Sequence, residues 1–444
     1  MVLYPSWSKS ACALRLQAGS NGWVLSSGNN DQLRNKSTGF REEGLTTSKS
    51  VFTESDNVAG MEVSSTLAVL MEAERLRSEG VDLIDLGAGE PDFPTPRNVK
   101  DAAEQAIEAN FTRYTATSGI APLRNAIAEM MRRDFGASCD PSEVLVTMGG
   151  KQAIFNAMAT LLNPGDEVLV PSPYWVTFPE IVKFLRADPV FIDTEPDEFL
   201  LTARAVSDAI GPRTRLLIIN SPNNPTGRII PPDEFRRIVE VAAAQNVWVI
   251  SDECYLYFAY PPAVPFTAGQ LPEELRSRVM ICGSFSKTHA MTGWRLGFGL
   301  GPKPWIQSML KVQSHSTSNA NSMTQKAAVE AAIGPQDSVR SMIDEYLRRR
   351  DWVVPALNAI DGIKCSLPEG AFYVMPDVKR LLGGRVRDSI ELSKLLLNEA
   401  RVVVTAGSAF GMEGYVRISY ANSLEAIQEG VRRIEVVARG LLDS

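Results

Sequence analysis

Between residues 144 and 300 the chain repeats one pattern: a short apolar run, a small or polar junction, then an amphipathic stretch long enough for a helix. The runs are Val144-Leu-Val-Thr-Met, 167–171, 189–193, Leu216-Leu-Ile-Ile-Asn, Val247-Trp-Val-Ile-Ser-Asp252 and Val279-Met-Ile-Cys282. Strands that are apolar on both faces belong in a sheet covered on both sides, and helical crossovers make such a sheet mostly parallel. The predicted class is therefore α/β. Ligands in these sheets bind outside the carboxyl ends of the strands. Gly149-Gly150-Lys151, Asn223-Asn224, Asp252 and Ser284-Phe-Ser-Lys287 all follow strands, so one rim is expected to gather them.

After about residue 333 the texture changes to a long charged helix, 338–360, shorter strands around 363–375 and 401–420, and a final helix at 423–442. This reads as a smaller α+β domain formed by 60–95 plus 334–444, beside a large domain at 96–333. Before it, a helical pattern at 61–79 leads to a strand at 81–87 and a proline-rich loop, Gly89-Glu-Pro-Asp-Phe-Pro-Thr-Pro. Residues 1–55 differ again. They are rich in Ser, Asn and Gly, carry Lys9, Arg15, Arg34, Lys36 and Arg41, and lack any acid before Asp31. That composition is expected of an organelle transit peptide, plastid or mitochondrial, or of a disordered extension.

Several chemistries are disfavoured at once. The net charge of −7, without a basic block, argues against nucleic acid, and no apolar run approaches a membrane helix. Two histidines and five scattered cysteines leave almost no room for a metal site. Chemistry must rest on lysine, carboxylate, tyrosine or a cofactor. Lys287, among small and hydroxyl residues at a strand end, is either a solvated surface amine or a desolvated nucleophile. Gly149-Gly150-Lys151 is a plain turn or an anion nest at a helix start. Asp252 is costly to bury unless it faces a structural arginine or a protonated ring nitrogen, and Tyr255 can reach the same ligand. Trp175 is core or a stacking surface, and Arg417 in Tyr415-Val-Arg-Ile-Ser-Tyr420 is a salt-bridge partner or a carboxylate clamp. Gly297-Phe-Gly-Leu-Gly301 lacks the spacing of a dinucleotide fingerprint. Together these groups meet the needs of pyridoxal phosphate: an amine, a ring-nitrogen partner, an anion nest and a stacking ring.

The motifs Gly89-Glu-Pro-Asp-Phe, Arg113-Tyr114-Thr, Gly149-Gly-Lys-Gln-Ala, Pro173-Tyr-Trp175, Ser221-Pro-Asn-Asn-Pro-Thr-Gly, Ser251-Asp-Glu-Cys-Tyr255, Ser284-Phe-Ser-Lys287, Thr292-Gly-Trp-Arg295 and Arg417-Ile-Ser-Tyr occur in this order. In them the chain resembles the class I aminotransferases of pyridoxal-phosphate fold type I, over about residues 60–440. The resemblance implies that Lys287 attaches the cofactor and moves the substrate proton. It implies that Asp252 pairs with the ring nitrogen, Tyr255 and Asn224 bond the ring hydroxyl oxygen, and Trp175 stacks. Gly150, Lys151, Ser284 and Arg295 would hold phosphate, with Tyr114 reaching in from the other subunit of a homodimer. Arg417 would take the substrate α-carboxylate, helped by Trp175, Asn224 and Gly89.

The closest resemblance is to the bacterial and plastid (type Ib) aspartate aminotransferases. These place a lysine at the position of Lys151 for the distal carboxylate, where animal enzymes use an arginine; here the corresponding loop, Gln313-Ser-His-Ser-Thr-Ser-Asn319, has none. Thr66 matches a position used with that lysine in plant relatives that accept prephenate. Amino acids and 2-oxo acids are the implied substrates. A broader aromatic or alanine aminotransferase, a β-lyase and a cofactor-binding regulator are the alternatives, and a lysine at 151 has no partner on an apolar substrate. Two positions depart from the pattern: His289, a packing residue or a perturber of Lys287, and Cys254, expected to be simply buried.

Overall fold

In the computed structural model, residues 52–62 and 67–443 are described, and Glu54–Ser444 forms one compact unit. The expected transit peptide thus lies almost wholly outside the described residues, as does Thr66. At the centre is a seven-stranded sheet: β1 (Val144–Thr147), β2 (Glu167–Ser172), β3 (Asp188–Asp193), β4 (Thr214–Asn220), β5 (Trp248–Asp252), β6 (Val279–Ser284) and β7 (Gly297–Leu300). Their order across the sheet is β1-β7-β6-β5-β4-β2-β3. Only β7 runs against its neighbours, β6 and β1; the other pairings are parallel.

Both faces are covered, as continuous apolar strands require. Helix Pro232–Ala244 buries Phe235, Ile238, Val239 and Ala242, one stripe at helical spacing, and joins Ala121–Phe135 and Ser322–Ile333 on one face. Gly150–Ala159, Thr177–Phe184 and Lys303–Ser316 pack on the other. A third core joins Ile84 and Leu86 to the helices Asp337–Asn358 and Leu424–Leu442 and to Phe372–Val374. It draws on the segments expected to form the smaller domain, but also on Tyr255, Phe258 and Tyr260 just after β5.

Three readings change. The strand expected at 81–87 is only Ile84–Asp85, paired with Val402–Val403, because the Asp85 carboxylate accepts from the N–H groups of Gly87 and Ala88 and turns the chain. The helix expected from residue 61 runs from Leu67 to Ser78. The expected loop 313–319 begins as the last turn of helix Lys303–Ser316. Gln313 is buried, and its amide nitrogen donates to the carbonyls of Thr117 and Val146 at 2.9 and 2.8 Å. That bonding anchors the helix through a Ser- and Thr-rich stretch of weak helical propensity.

The topology explains the rim. Strands β2, β4, β5 and β6 end on one side, and β1 points the same way because it opposes β7. Strand β7 starts where the others stop, with Gly297 level with both Thr147 and Ser284. Arg295, two residues before it, is therefore delivered to the same rim.

Candidate active site

The rim opens into a cavity of about 560 Å³. Gly89, Gly150, Lys151, Trp175, Asn224, Asp252, Tyr255, Ser284, Lys287, Arg295 and Arg417 all line it, although they span more than three hundred residues of chain. Tyr114 does not. It is 92% exposed and stands outside the cavity.

Lys287 lies on the short helix Phe285–Thr288 after β6, which Ser284 caps by accepting from the Ser286 N–H. Its Nζ donates to the Gly89 carbonyl at 2.5 Å, and burial draws its pKa down to about 8. Asp252 ends β5 and is buried; its carboxylate accepts from the Cys254 N–H at 3.1 Å and has no cationic partner within ion-pair reach among the described residues. Burial pushes it up to about 6. A buried carboxylate in that position is stabilised by a protonated ring nitrogen, which is one fit to the expected cofactor.

The glycines supply a second fit. Gly149 has φ +86°, and a Cβ there would sit 2.7 Å from Arg295 Nη2. A Cβ on Gly150 would meet Cys254 Sγ at 2.8 Å, and one on Gly297 would meet the Gly150 nitrogen at 2.4 Å. Bare backbone and the start of helix Gly150–Ala159 therefore face the Arg295 side of the cavity, an arrangement suited to a phosphate. Arg295 itself is held at φ +52°, costing about 1 kcal/mol, and donates to the Thr292 carbonyl at 2.8 Å.

Arg417 is buried yet pairs with no acid among the described residues, which sets aside the surface salt bridge. Its Nη1 donates to Asn224 Oδ1 at 3.1 Å and its Nη2 to the Gly87 carbonyl at 2.7 Å, while the guanidinium faces the rings of Tyr373 and Phe410 at 4.5 and 5.0 Å. The β4 terminus holds Asn224 in turn, since Asn220 Oδ1 accepts from the Asn224 N–H and Asn220 Nδ2 donates to the Asp252 carbonyl. Lys151 lies at the cavity mouth with Nζ 4.9 Å from the Trp175 ring centre; partial desolvation, then the Arg295 guanidinium, lower its pKa. Trp175 is half-buried and lines the cavity while packing edge-on against Phe178.

Some contributors escape the sequence. Tyr373 shares a 2.8 Å hydrogen bond with the Tyr255 hydroxyl and lies under Arg417. Thr405 contacts Arg417 Nη2 at 3.4 Å. Cys254, expected to be simply buried, is part of the cavity wall. His289 does not line this cavity; it is buried against Phe285 and Tyr257, in keeping with packing.

The model of aminotransferase class I and II matches residues 81–434. The chain belongs to this family. Its members work with pyridoxal phosphate, and the lysine, carboxylate and glycine cradle above are the groups that such a cofactor needs. An aspartate aminotransferase of Bacillus sp. strain YM-2 is 41% identical over 374 residues, 84% of this chain and 95% of the relative. An aspartate/prephenate aminotransferase of Cereibacter sphaeroides is 41% identical over 395 residues, 87% of this chain and 99% of the relative. The crystal structure of the aspartate aminotransferase from Rhizobium meliloti superimposes with a TM-score of 0.84 at 39% identity, covering 88% of this chain and 99% of that one. This aminotransferase thus shares its fold and most of its length with enzymes of that name.

Proposed function

We propose that the chain is an aspartate:2-oxoglutarate aminotransferase, acting by a ping-pong mechanism. The observation that carries the reading is a pair of cations, Arg417 and Lys151, without acidic partners among the described residues, lining the cavity that holds Lys287. One carboxylate on the substrate backbone and one on its side chain would satisfy both.

When bound, pyridoxal phosphate supplies an aldehyde for the amine and a ring that draws electrons from the substrate α-carbon. The protein's share is position and proton control. Arg417 grips the α-carboxylate with a guanidinium held in place by Asn224 and the Gly87 carbonyl, and Lys151 meets the distal carboxylate. Asp252 would keep a proton on the ring nitrogen of the bound cofactor. Lys287, a desolvated amine in the cavity, would take the substrate's α-proton at Nζ and hold it for return. The Gly89 carbonyl is its waiting partner. Tyr255 would donate toward the ring hydroxyl oxygen of a bound cofactor, and the Tyr255–Tyr373 bond orients it.

The site is completed by a homodimer in this reading: Tyr114, exposed on its own subunit, reaches the other subunit's phosphate. Prephenate is a second substrate of interest, because Val69, Ile154, Ile390 and Phe410 give the cavity an apolar wall beside the two cations. The deciding experiment is a half-reaction panel with aspartate, glutamate, alanine, phenylalanine and arogenate. Aspartate and glutamate should lead; equal rates for alanine would overturn the assignment. Residues 1–55 are read as a plastid transit peptide, and a reporter fusion that stays diffuse in the cytosol would reject it.

A further inference from the structure

Tyr373 belongs to the short strand Tyr373–Val374, which pairs antiparallel with Val416–Ser419. Ser419 lies opposite Tyr373, so Arg417, two residues earlier on that strand, projects on the same face. Its guanidinium sits 4.5 Å from the Tyr373 ring centre. Gly89 closes over the far end of the ring, where a Cβ would stand 3.2 Å from the Tyr373 hydroxyl oxygen. Tyr373 is 0% exposed, whereas Tyr255 beside it is 5% exposed.

The 2.8 Å bond between the two hydroxyls can run either way, and burial selects its direction. Among the described residues neither hydroxyl makes another hydrogen bond. If Tyr255 donated, the Tyr373 proton would be buried without an acceptor, a costly state. If Tyr373 donates, its proton is used, and the Tyr255 proton is left to turn into the cavity that both residues line. The Arg417 cation over the face of the Tyr373 ring favours the same direction, since it draws electron density from the phenol and strengthens it as a donor. Burial raises the pKa of both phenols, so each keeps its proton near neutrality. The other groups of this kind that act on the pair are Arg417 and Cys254, whose thiol burial also keeps protonated.

We infer that Tyr373 is a positioning residue for the cofactor's ring oxygen: it donates its proton to Tyr255 Oη and so commits the Tyr255 proton to the cofactor. This rests on the role proposed above for Tyr255, through which Tyr373 acts. A hydroxyl that accepts one hydrogen bond is a stronger donor in the next, so the two phenols in series stabilise negative charge on the ring oxygen more than Tyr255 alone. The same ring lies against Arg417, so one residue braces both the substrate clamp and the cofactor contact.

The pH midpoint of the lysine-bound cofactor's visible absorbance reports how basic the ring oxygen is, and it is read without turnover. A weaker donor leaves that oxygen more basic, so the midpoint rises. Tyr255→Phe should raise it by about one pH unit and Tyr373→Phe, which keeps the ring beside Arg417, by about 0.3 unit. The double variant should match Tyr255→Phe, because Tyr373 has no other route to the cofactor. A midpoint unmoved by Tyr373→Phe, or a full further rise in the Tyr255→Phe background, overturns the inference while leaving the reading of Tyr255 intact. A midpoint unmoved by Tyr255→Phe overturns both. The direction of the bond is also read without any variant: a neutron map of the wild-type holoenzyme should place the deuterium between the two oxygens on Tyr373, and deuterium on Tyr255 overturns the inference.

Discussion

Lys151→Met separates charge from shape at the residue proposed to set substrate preference. The methionine stem can cover Trp175 much as the lysine stem does, so the chief loss is the ammonium. Its contact with the Trp175 face, 4.9 Å from the ring centre, is worth about 0.5–1 kcal/mol and is lost whichever substrate is present. A charge-assisted hydrogen bond to a distal carboxylate is worth about 1.5–3 kcal/mol, and only an acidic substrate loses it. At about 1.36 kcal/mol per factor of ten, the aspartate-to-alanine ratio of kcat/KM should fall about 10–100-fold. Single-turnover half-reactions followed by the cofactor's absorbance measure both constants without an acceptor in the mixture. If alanine loses as much as aspartate, so that the ratio stays within about threefold, the distal carboxylate is held elsewhere.

Other expectations follow from the same site. Lys287→Ala should abolish transamination and the visible absorbance of the attached cofactor; in the wild-type apoenzyme the rate of attachment should rise with pH through about 8 and then level, as the amine loses its proton. Asp252→Asn should cost activity about 10²–10³-fold. It should also stabilise the cofactor-free protein at pH 7.5, by about 1–3 kcal/mol. The carboxyl's raised pKa favours the fold only while protonated, a contribution lost as pH rises through about 6, so the gain in melting temperature should vanish toward pH 4. Gly297→Ala would drive a methyl to within 2.4 Å of the Gly150 nitrogen, and should weaken cofactor binding at least about tenfold by titration of the apoenzyme.

What could be read from the residues follows a physical boundary. Asp252, Asn224 and Lys287 were legible because a parallel sheet delivers strand ends to one rim, and their neighbours in sequence place them there. Tyr373 and Thr405 were not, since nothing in Ala371-Phe-Tyr-Val or Val404-Thr-Ala tells that a guanidinium from another strand will lie against them. Gly297 looked like part of an idle glycine run, because its purpose is the backbone approach of Gly149-Gly150 across the sheet. The helix ending at Ser316 reads as loop in sequence because its serines and threonines argue locally for a turn, while the bonds that hold Gln313 come from residues 196 and 167 positions away.

The bond from Arg417 to the Gly87 carbonyl joins positions separated by 330 residues. During synthesis the lysine, the aspartate and the glycine cradle have all left the ribosome before that arginine is made. A nascent chain therefore has the groups that capture the cofactor well before the guanidinium proposed to grip the substrate.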